Sequence, residues 1–170
     1  MQRIPYTGLC YLLACLLTVQ SCNTDNGDTS PEFIADSTSF SEFLNWPLEK
    51  TYYGPDPLLA EMAHLNNDST VIREVHFNNG QDPVNGKYPV GTLIVKYSHN
   101  PSGTVKEFTA MAKRGNNFSA QSGDWEFFLL EDGGKIATDS AGMQMRGADL
   151  MDGICIYCHS LASSDFVFSK

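Results

Sequence analysis

The pentapeptide Cys155-Ile-Tyr-Cys158-His159 lies close to the carboxyl end of the chain and limits its chemistry more than any other feature. Two thiols three residues apart lie on one turn of a helix, and the adjacent imidazole projects beside them. This spacing is typical of c-type haem attachment, in which Cys155 and Cys158 bond the vinyl groups of one haem and His159 binds the iron. We therefore expect one covalently bound haem c (iron) per chain.

The late position of this motif restricts which side chains could provide a sixth iron ligand. Only residues 160–170 follow His159, and none of them is Met or His. A second axial ligand must therefore come from upstream, where the candidates are Met111, Met143, Met145 and Met151. Because methionine most often fills hydrophobic cores, we expect five-coordinate iron with an open side that binds small molecules.

Two other uses of the cysteine pair stay open at this stage. A zinc site would need further ligands from His64, His76 or His99, whose spacing matches no zinc motif. A redox-active dithiol usually begins a helix early in a βαβ unit, whereas this pair comes late in the chain. The three histidines are most simply read as surface or strand residues. Haem attachment is the favoured interpretation.

Residues 1–21 predict a lipoprotein signal peptide. Arg3 precedes an apolar run over residues 9–19, which is too short to span a bilayer. Residues 19–22 (VQSC) resemble a bacterial lipobox, in which cleavage precedes Cys22 and its thiol carries lipid. Ordinary secretory cleavage is the alternative. Residues 22–34 would form a polar tether, so we expect a lipid-anchored protein of the bacterial cell envelope, periplasmic or surface-facing.

Cysteine usage and charge limit the partners of the mature protein. Cys10 and Cys15 fall in the leader and Cys22 is the anchor, so Cys155 and Cys158 are the thiols that remain. With 11 Lys and Arg against 20 Asp and Glu, the chain has little material for a basic patch, so we expect no nucleic-acid partner. The net charge of −9 permits a basic, soluble redox partner.

Hydrophobic patterning predicts a mainly β (α+β) fold, with an antiparallel sheet and a few helices in one haem-binding domain over residues 35–170. Helices are predicted over residues 33–46 and 145–162, the second of which carries the cysteine motif. Strand parity places Leu93 and Val95 on one face and Ile94 and Lys96 on the other. Strands are predicted over residues 70–77, 91–99, 105–113, 125–130 and 135–137.

Three segments together resemble the cytochrome P-460 family. They are residues 88–96 (YPVGTLIVK), residues 123–128 (GDWEFF) and residues 155–168 (CIYCHSLASSDFVF), in matching order and approximate spacing. The likeness spans roughly residues 35–168. It implies a mainly antiparallel β fold, commonly a homodimer, with a c-type haem. Some members oxidise hydroxylamine, whereas the cytochrome c′-beta branch binds nitric oxide or carbon monoxide without known turnover.

The resemblance gives Lys96 a role in binding the cofactor. In the hydroxylamine-oxidising members, the lysine of the corresponding strand is bonded through its amine to the haem macrocycle. Such a bond needs an unprotonated amine, which burial beside a haem favours. The alternative is a solvent-facing Lys96, and Tyr97 stands where the family commonly has Glu.

The same enzymes place a carboxylate on the following strand, where it accepts protons as a base. The corresponding place falls near Thr109, which is not acidic, but Glu107 lies two residues earlier and shares its face by strand parity. If the alignment shifts by two residues, Glu107 is the candidate catalytic residue, and the alternative is an exposed strand glutamate. Three functions stay open: oxidation of hydroxylamine, non-catalytic binding of nitric oxide or another diatomic gas, and electron transfer with an upstream Met or His ligand.

Overall fold

The computed structural model describes residues 31–65, 68–78, 80 and 82–168. Within them, six strands form one antiparallel sheet in which chain neighbours are also sheet neighbours. The predicted leader and the predicted lipidation site at Cys22 lie outside the described residues. In the described part of the chain, no helix has the length and apolar character needed to cross a membrane. The elements are β1 (Leu48–Tyr53), β2 (Ile72–Phe77), β3 (Leu93–His99), β4 (Lys106–Lys113), β5 (Trp125–Leu130), β6 (Arg146–Gly147) and α1 (Ile154–His159).

The central strands are buried on both faces. The alternation predicted for β3, with Leu93 and Val95 on one face and Ile94 and Lys96 on the other, agrees with the structure. Leu93 and Val95 point into one hydrophobic cluster, and Ile94 points into a second cluster on the other side of the sheet. Across β3 and β4, Ile94 pairs with Met111 and Lys96 pairs with Thr109. The sheet therefore separates two packed layers, and Lys96 belongs to the layer of Ile94.

Different parts of the chain cover the two faces. The segment before β1 packs Phe40 and Phe43 onto the face of Leu93 and Val95. The segment after β6 packs Leu150, Ile156 and Val167 against the other face. The mainly antiparallel β architecture expected from the sequence is thus confirmed.

The predicted strands agree with the structure more closely than the predicted helices do. Four of them correspond to β2, β3, β4 and β5, and β5 has the predicted bounds. The strand predicted over residues 135–137 is reduced to an isolated bridge between Ile136 and Leu130. The edge strand β1 was not predicted, although its Thr51-Tyr52-Tyr53 sequence is rich in strand-forming residues.

The helix predicted over residues 33–46 is wrong. The structure has turns there and one short 3-10 helix, Phe43–Asn45. The Asp36 carboxylate accepts a hydrogen bond from the backbone N–H of Thr38 at 2.8 Å, and the Ser39 hydroxyl accepts one from the N–H of Asp36 at 2.8 Å. These local side-chain bonds compete with helical ones, so the segment turns instead.

The helix predicted over residues 145–162 is wrong over most of its length. Arg146 and Gly147 pair with β5 as β6, and the α-helix covers Ile154–His159 alone. Met151 and Asp152 both have a φ of 55°, and Gly153 has a φ of 78°. Left-handed residues cannot continue a right-handed helix, so the helix begins after Gly153.

We predict that Phe40→Ala lowers the free energy of unfolding by about 3–5 kcal/mol, because it leaves a large cavity in a packed core. Phe40 is 0% exposed and lies against Phe128, with ring centroids 5.0 Å apart. Leu44, 60% exposed in the same segment, is the control, and Leu44→Ala should change stability by about 0.5 kcal/mol or less. Urea unfolding measures both. A loss for Phe40→Ala as small as that for Leu44→Ala would contradict the packing of Phe40 in the core.

Candidate functional site

A cavity of about 300 Å³ is lined by the sheet and by α1. Its volume is at the lower end of the range of about 300–1,000 Å³ for small-molecule sites. The sheet contributes Lys96 and Glu107, and α1 contributes Cys155, Cys158 and His159. The structure thus brings together all the predicted site residues that it describes. Lys96 and Glu107 lie on one face because both strands alternate and pair in register.

The two thiols lie one helical turn apart at the cavity. Cys158 is buried and Cys155 is half-buried, and neither forms a disulfide. Burial, followed by the nearby Cys158, raises the pKa of the Cys155 thiol to about 11, and burial also raises the pKa of Cys158. Catalytic dithiols instead have a lowered pKa that yields a reactive thiolate. The pair is therefore unlike a redox dithiol.

His159 is held as a neutral ring with one nitrogen already committed. Its Nδ1 lies 2.8 Å from the carbonyl oxygen of Phe166, and a carbonyl can only accept, so Nδ1 donates the proton. Nε2 then keeps its lone pair for a metal. Burial lowers the pKa of His159 to about 3, and the ring packs between Phe127 and Phe168.

Lys96 lines the cavity and is half-buried, so it is not a fully solvent-facing strand lysine. Burial, together with the positive charge of Arg73, lowers the pKa of Lys96 to about 8. Among the described residues, the amine makes no hydrogen bond. The lowered pKa favours the neutral amine, which is the form that can attack or bond a ligand.

Glu107 lies in the cavity wall beside His64. The distance from His64 Nδ1 to Glu107 Oε1 is 3.4 Å, and the backbone N–H of Leu65 donates to Oε2 at 3.2 Å. Burial acts to raise the pKa of Glu107, but the hydrogen bonds from His64 and Leu65 and nearby positive charge hold it below its usual range. Glu107 is thus an ionised carboxylate available to accept a proton.

His64 is the site residue that sequence reasoning missed. His64 lines the cavity from the loop between β1 and β2 with its side chain 26% exposed, so it is a partly exposed loop residue and does not lie in a strand. Burial lowers the pKa of His64 despite its contact with Glu107. Its sequence neighbours, Ala63 and Leu65, give no periodic signal that would have indicated this position. His76 and His99 do lie in strands, as expected.

The candidate sixth ligands differ in where they lie. Met111 and Met151 line the cavity, and so does Met62, which was not among the candidates. Met143 is 68% exposed, and Met145 packs against the hydrophobic cluster beneath α1 without lining the cavity. The set of candidates from the sequence is therefore reduced to Met111 and Met151.

The donor set fits a haem better than a bare metal ion. Among the described residues, no group of three or more His, Cys, Asp or Glu side chains converges as a metal site. Structural zinc needs four protein ligands, and catalytic zinc needs three. A haem iron brings its own porphyrin nitrogens and needs one axial imidazole, while two thiols hold the macrocycle. His159, Cys155 and Cys158, in a mainly apolar cavity, match that requirement.

Comparison of the chain with protein-family models, with curated proteins and with solved structures gave no match.

We predict that Glu107→Gln lowers the pKa of His64 further, because the carboxylate is what opposes the effect of burial on that ring. An NMR titration of the histidine ring protons measures the change. Glu74→Gln is the matched control, since Glu74 lies 3.8 Å from His99 rather than beside His64. A His64 pKa that stayed constant or rose in Glu107→Gln would contradict the contact between the two side chains.

Proposed function

We propose that this chain is an exported mono-haem c-type cytochrome of the cytochrome P-460 type that oxidises hydroxylamine. Cys155 and Cys158 would hold the haem, and His159 would bind its iron. Residues 35–170 would form the haem domain, tethered to the cell envelope through lipid on Cys22. The supporting observation is that one cavity is lined by the cysteine motif, Lys96 and Glu107 together.

The residues around the cavity divide the chemistry between them. When bound, the haem would supply an iron atom that binds the hydroxylamine nitrogen and passes its electrons to a soluble redox partner. Glu107, beside His64 and Leu65, would accept one of the protons that hydroxylamine loses on oxidation, and water would take the others, while the electrons leave to the external acceptor. Burial lowers the pKa of the Lys96 amine to about 8, which favours the neutral form. Bonding of that amine to the macrocycle would replace one amine N–H and one ring C–H bond, with the two electrons passing to an external oxidant. The apolar lining limits water around these groups.

Electron transfer is the second candidate, and the position of His64 favours it. That function requires an upstream His or Met as a sixth ligand. His64, Met62, Met111 and Met151 all line the cavity. In this case His64 would bind the iron instead of supporting Glu107, and the iron would have no open side for a substrate.

We predict that protein matured in a bacterial host that attaches c-type haem carries haem on the peptide containing Cys155, Cys158 and His159. The Lys96 peptide should be linked to it, because Lys96 lines the cavity and its amine has a lowered pKa. Lys106, whose side chain is 38% exposed, is the internal control and should stay unmodified. Peptide mass mapping after proteolysis measures both.

Each other result of this experiment has a distinct meaning. A haem peptide with a free Lys96 supports the branch that binds nitric oxide or another diatomic gas without turnover. A six-coordinate, low-spin resting spectrum supports electron transfer. A colourless protein with both thiols open to alkylation contradicts the proposed function altogether.

We predict that Glu107→Gln slows steady-state hydroxylamine oxidation with a dye acceptor by about 10²–10⁴-fold, because the amide cannot take the proton. Glu74→Gln is the matched control, since Glu74 pairs with Tyr97 and so lies on the other face of the sheet. That control should keep the wild-type rate. Equal rates for Glu107→Gln and wild type would remove Glu107 from the mechanism.

A further inference from the structure

A tight turn follows α1 and carries the carbonyl that contacts His159. The backbone N–H of Val167 donates to the carbonyl of Ser164 at 2.8 Å, which closes the turn. Its central residues, Asp165 and Phe166, have φ values of 42° and 65°. Asp tolerates this left-handed conformation, but a bulky residue such as Phe does not adopt it readily. The surroundings must therefore hold the turn, and strain of this kind is often found at functional sites.

A buried ion pair with Lys113 holds Asp165, the first central residue of the turn. Lys113 Nζ lies 2.8 Å from both carboxylate oxygens of Asp165, and the two side chains are 6% and 5% exposed. Lys113 also donates to the carbonyl of Gly123 at 2.7 Å. Because Lys113 ends β4, the pair fastens the turn directly to the sheet.

Two further hydrogen bonds hold Asp165, one to its side chain and one to its backbone carbonyl. The backbone N–H of Tyr88 donates to Asp165 Oδ2 at 2.7 Å, and the indole N–H of Trp125 donates to the Asp165 carbonyl at 2.8 Å. Tyr88 and Trp125 are themselves 2% and 0% exposed. Asp165 is therefore held through both its side chain and its backbone, which leaves the turn little freedom to rotate.

The next residue transmits this constraint to the proposed iron ligand. The carbonyl of Phe166 accepts the hydrogen bond from His159 Nδ1 at 2.8 Å. Rotation of the Asp165–Phe166 backbone would reorient that carbonyl relative to Nδ1, because its direction depends on those torsions. An outer-shell bond of this kind sets the tautomer and orientation of a ligating imidazole and strengthens it as a ligand.

We propose that the buried Lys113–Asp165 ion pair is a positioning device for His159, which fixes the Phe166 carbonyl against Nδ1 and so sets the electron donation of His159 to a bound haem iron. This inference rests on the proposed haem ligation by His159. Lys113 and Asp165 touch neither the substrate nor the iron in this proposal, and they act through the turn.

The cost of burying charge supports a positioning role. A buried ion pair gains little stability over well-packed apolar residues, because both charges lose their hydration. Its value is then in the geometry that it imposes. Lys106 and Asp132 provide a contrast. Lys106 lies at the opposite end of β4 from Lys113, and its ion pair with Asp132 is exposed to solvent.

The test uses the haem-loaded protein with Asp165→Asn, Lys113→Met and the double variant. Resonance Raman of the ferrous protein gives the iron–histidine stretching frequency, and titration gives the reduction potential. We expect a lower frequency and a higher potential in all three, because a weaker hydrogen bond makes the imidazole a poorer donor to the oxidised iron. Asp132→Asn, which removes an equal charge from the exposed pair, should change neither.

The double variant and Trp125→Phe separate positioning from stability. Each single variant leaves one buried charge unpaired and can fail to accumulate, whereas the double variant removes both charges and should regain stability. Its two readouts should nevertheless stay shifted. Trp125→Phe keeps both charges, loses the bond to the Asp165 carbonyl, and should shift both readouts in the same direction. Wild-type frequency and potential in these two variants would overturn the inference while leaving the proposed function intact. A wild-type protein without haem overturns both.

Discussion

Backbone pairing between β3 and β4 sets Lys96 directly opposite Thr109, with Glu107 two residues along on the same face. A slip of one residue on either strand would turn one of these side chains into the cluster of Phe40 and Phe43 on the other face. A charge in that cluster would have no hydrogen-bond partner, which is costly. The register is therefore strongly specified, and the polar part of the cavity depends on it.

The two layers against the sheet have different physical characters. The layer before β1 is closed by aromatic side chains such as Phe40 and Phe43, and its energy comes from apolar burial. The layer after β6 leaves a cavity that is lined by the polar side chains of Lys96 and Glu107 as well as by apolar ones. The pKa of Glu107 stays below its usual range there because the Leu65 N–H donates to its carboxylate and His64 Nδ1 lies 3.4 Å from it. The apolar layer before β1 thus packs against the same sheet that carries Lys96 and Glu107 on its other face.

Three segments singled out in the sequence, residues 88–96, 123–128 and 155–168, meet in space. Tyr88 belongs to the first, Trp125 to the second and Asp165 to the third, and both of the former donate hydrogen bonds to Asp165. The end of the chain gains another connection where the Tyr52 hydroxyl donates to the carbonyl of Phe168 at 3.0 Å. These links hold the region around His159 against the sheet, although α1 itself covers just Ile154–His159.

Local pattern alone predicted most strands and that Lys96 shares a face with Ile94, and Glu107 with Thr109, since alternation and spacing act over a few residues. Only the tertiary structure decided that this face borders the cavity. The helix predicted over residues 33–46 does not form because the Asp36 carboxylate accepts a hydrogen bond within its own turn. The helix predicted over residues 145–162 is shortened because Met151 and Asp152 have positive φ values. Only the tertiary structure decided that His64 reaches Glu107 across 43 positions of sequence, and that Lys113 lies against Asp165. Such contacts join segments that are far apart in the chain, and no local preference encodes the packing that brings them together.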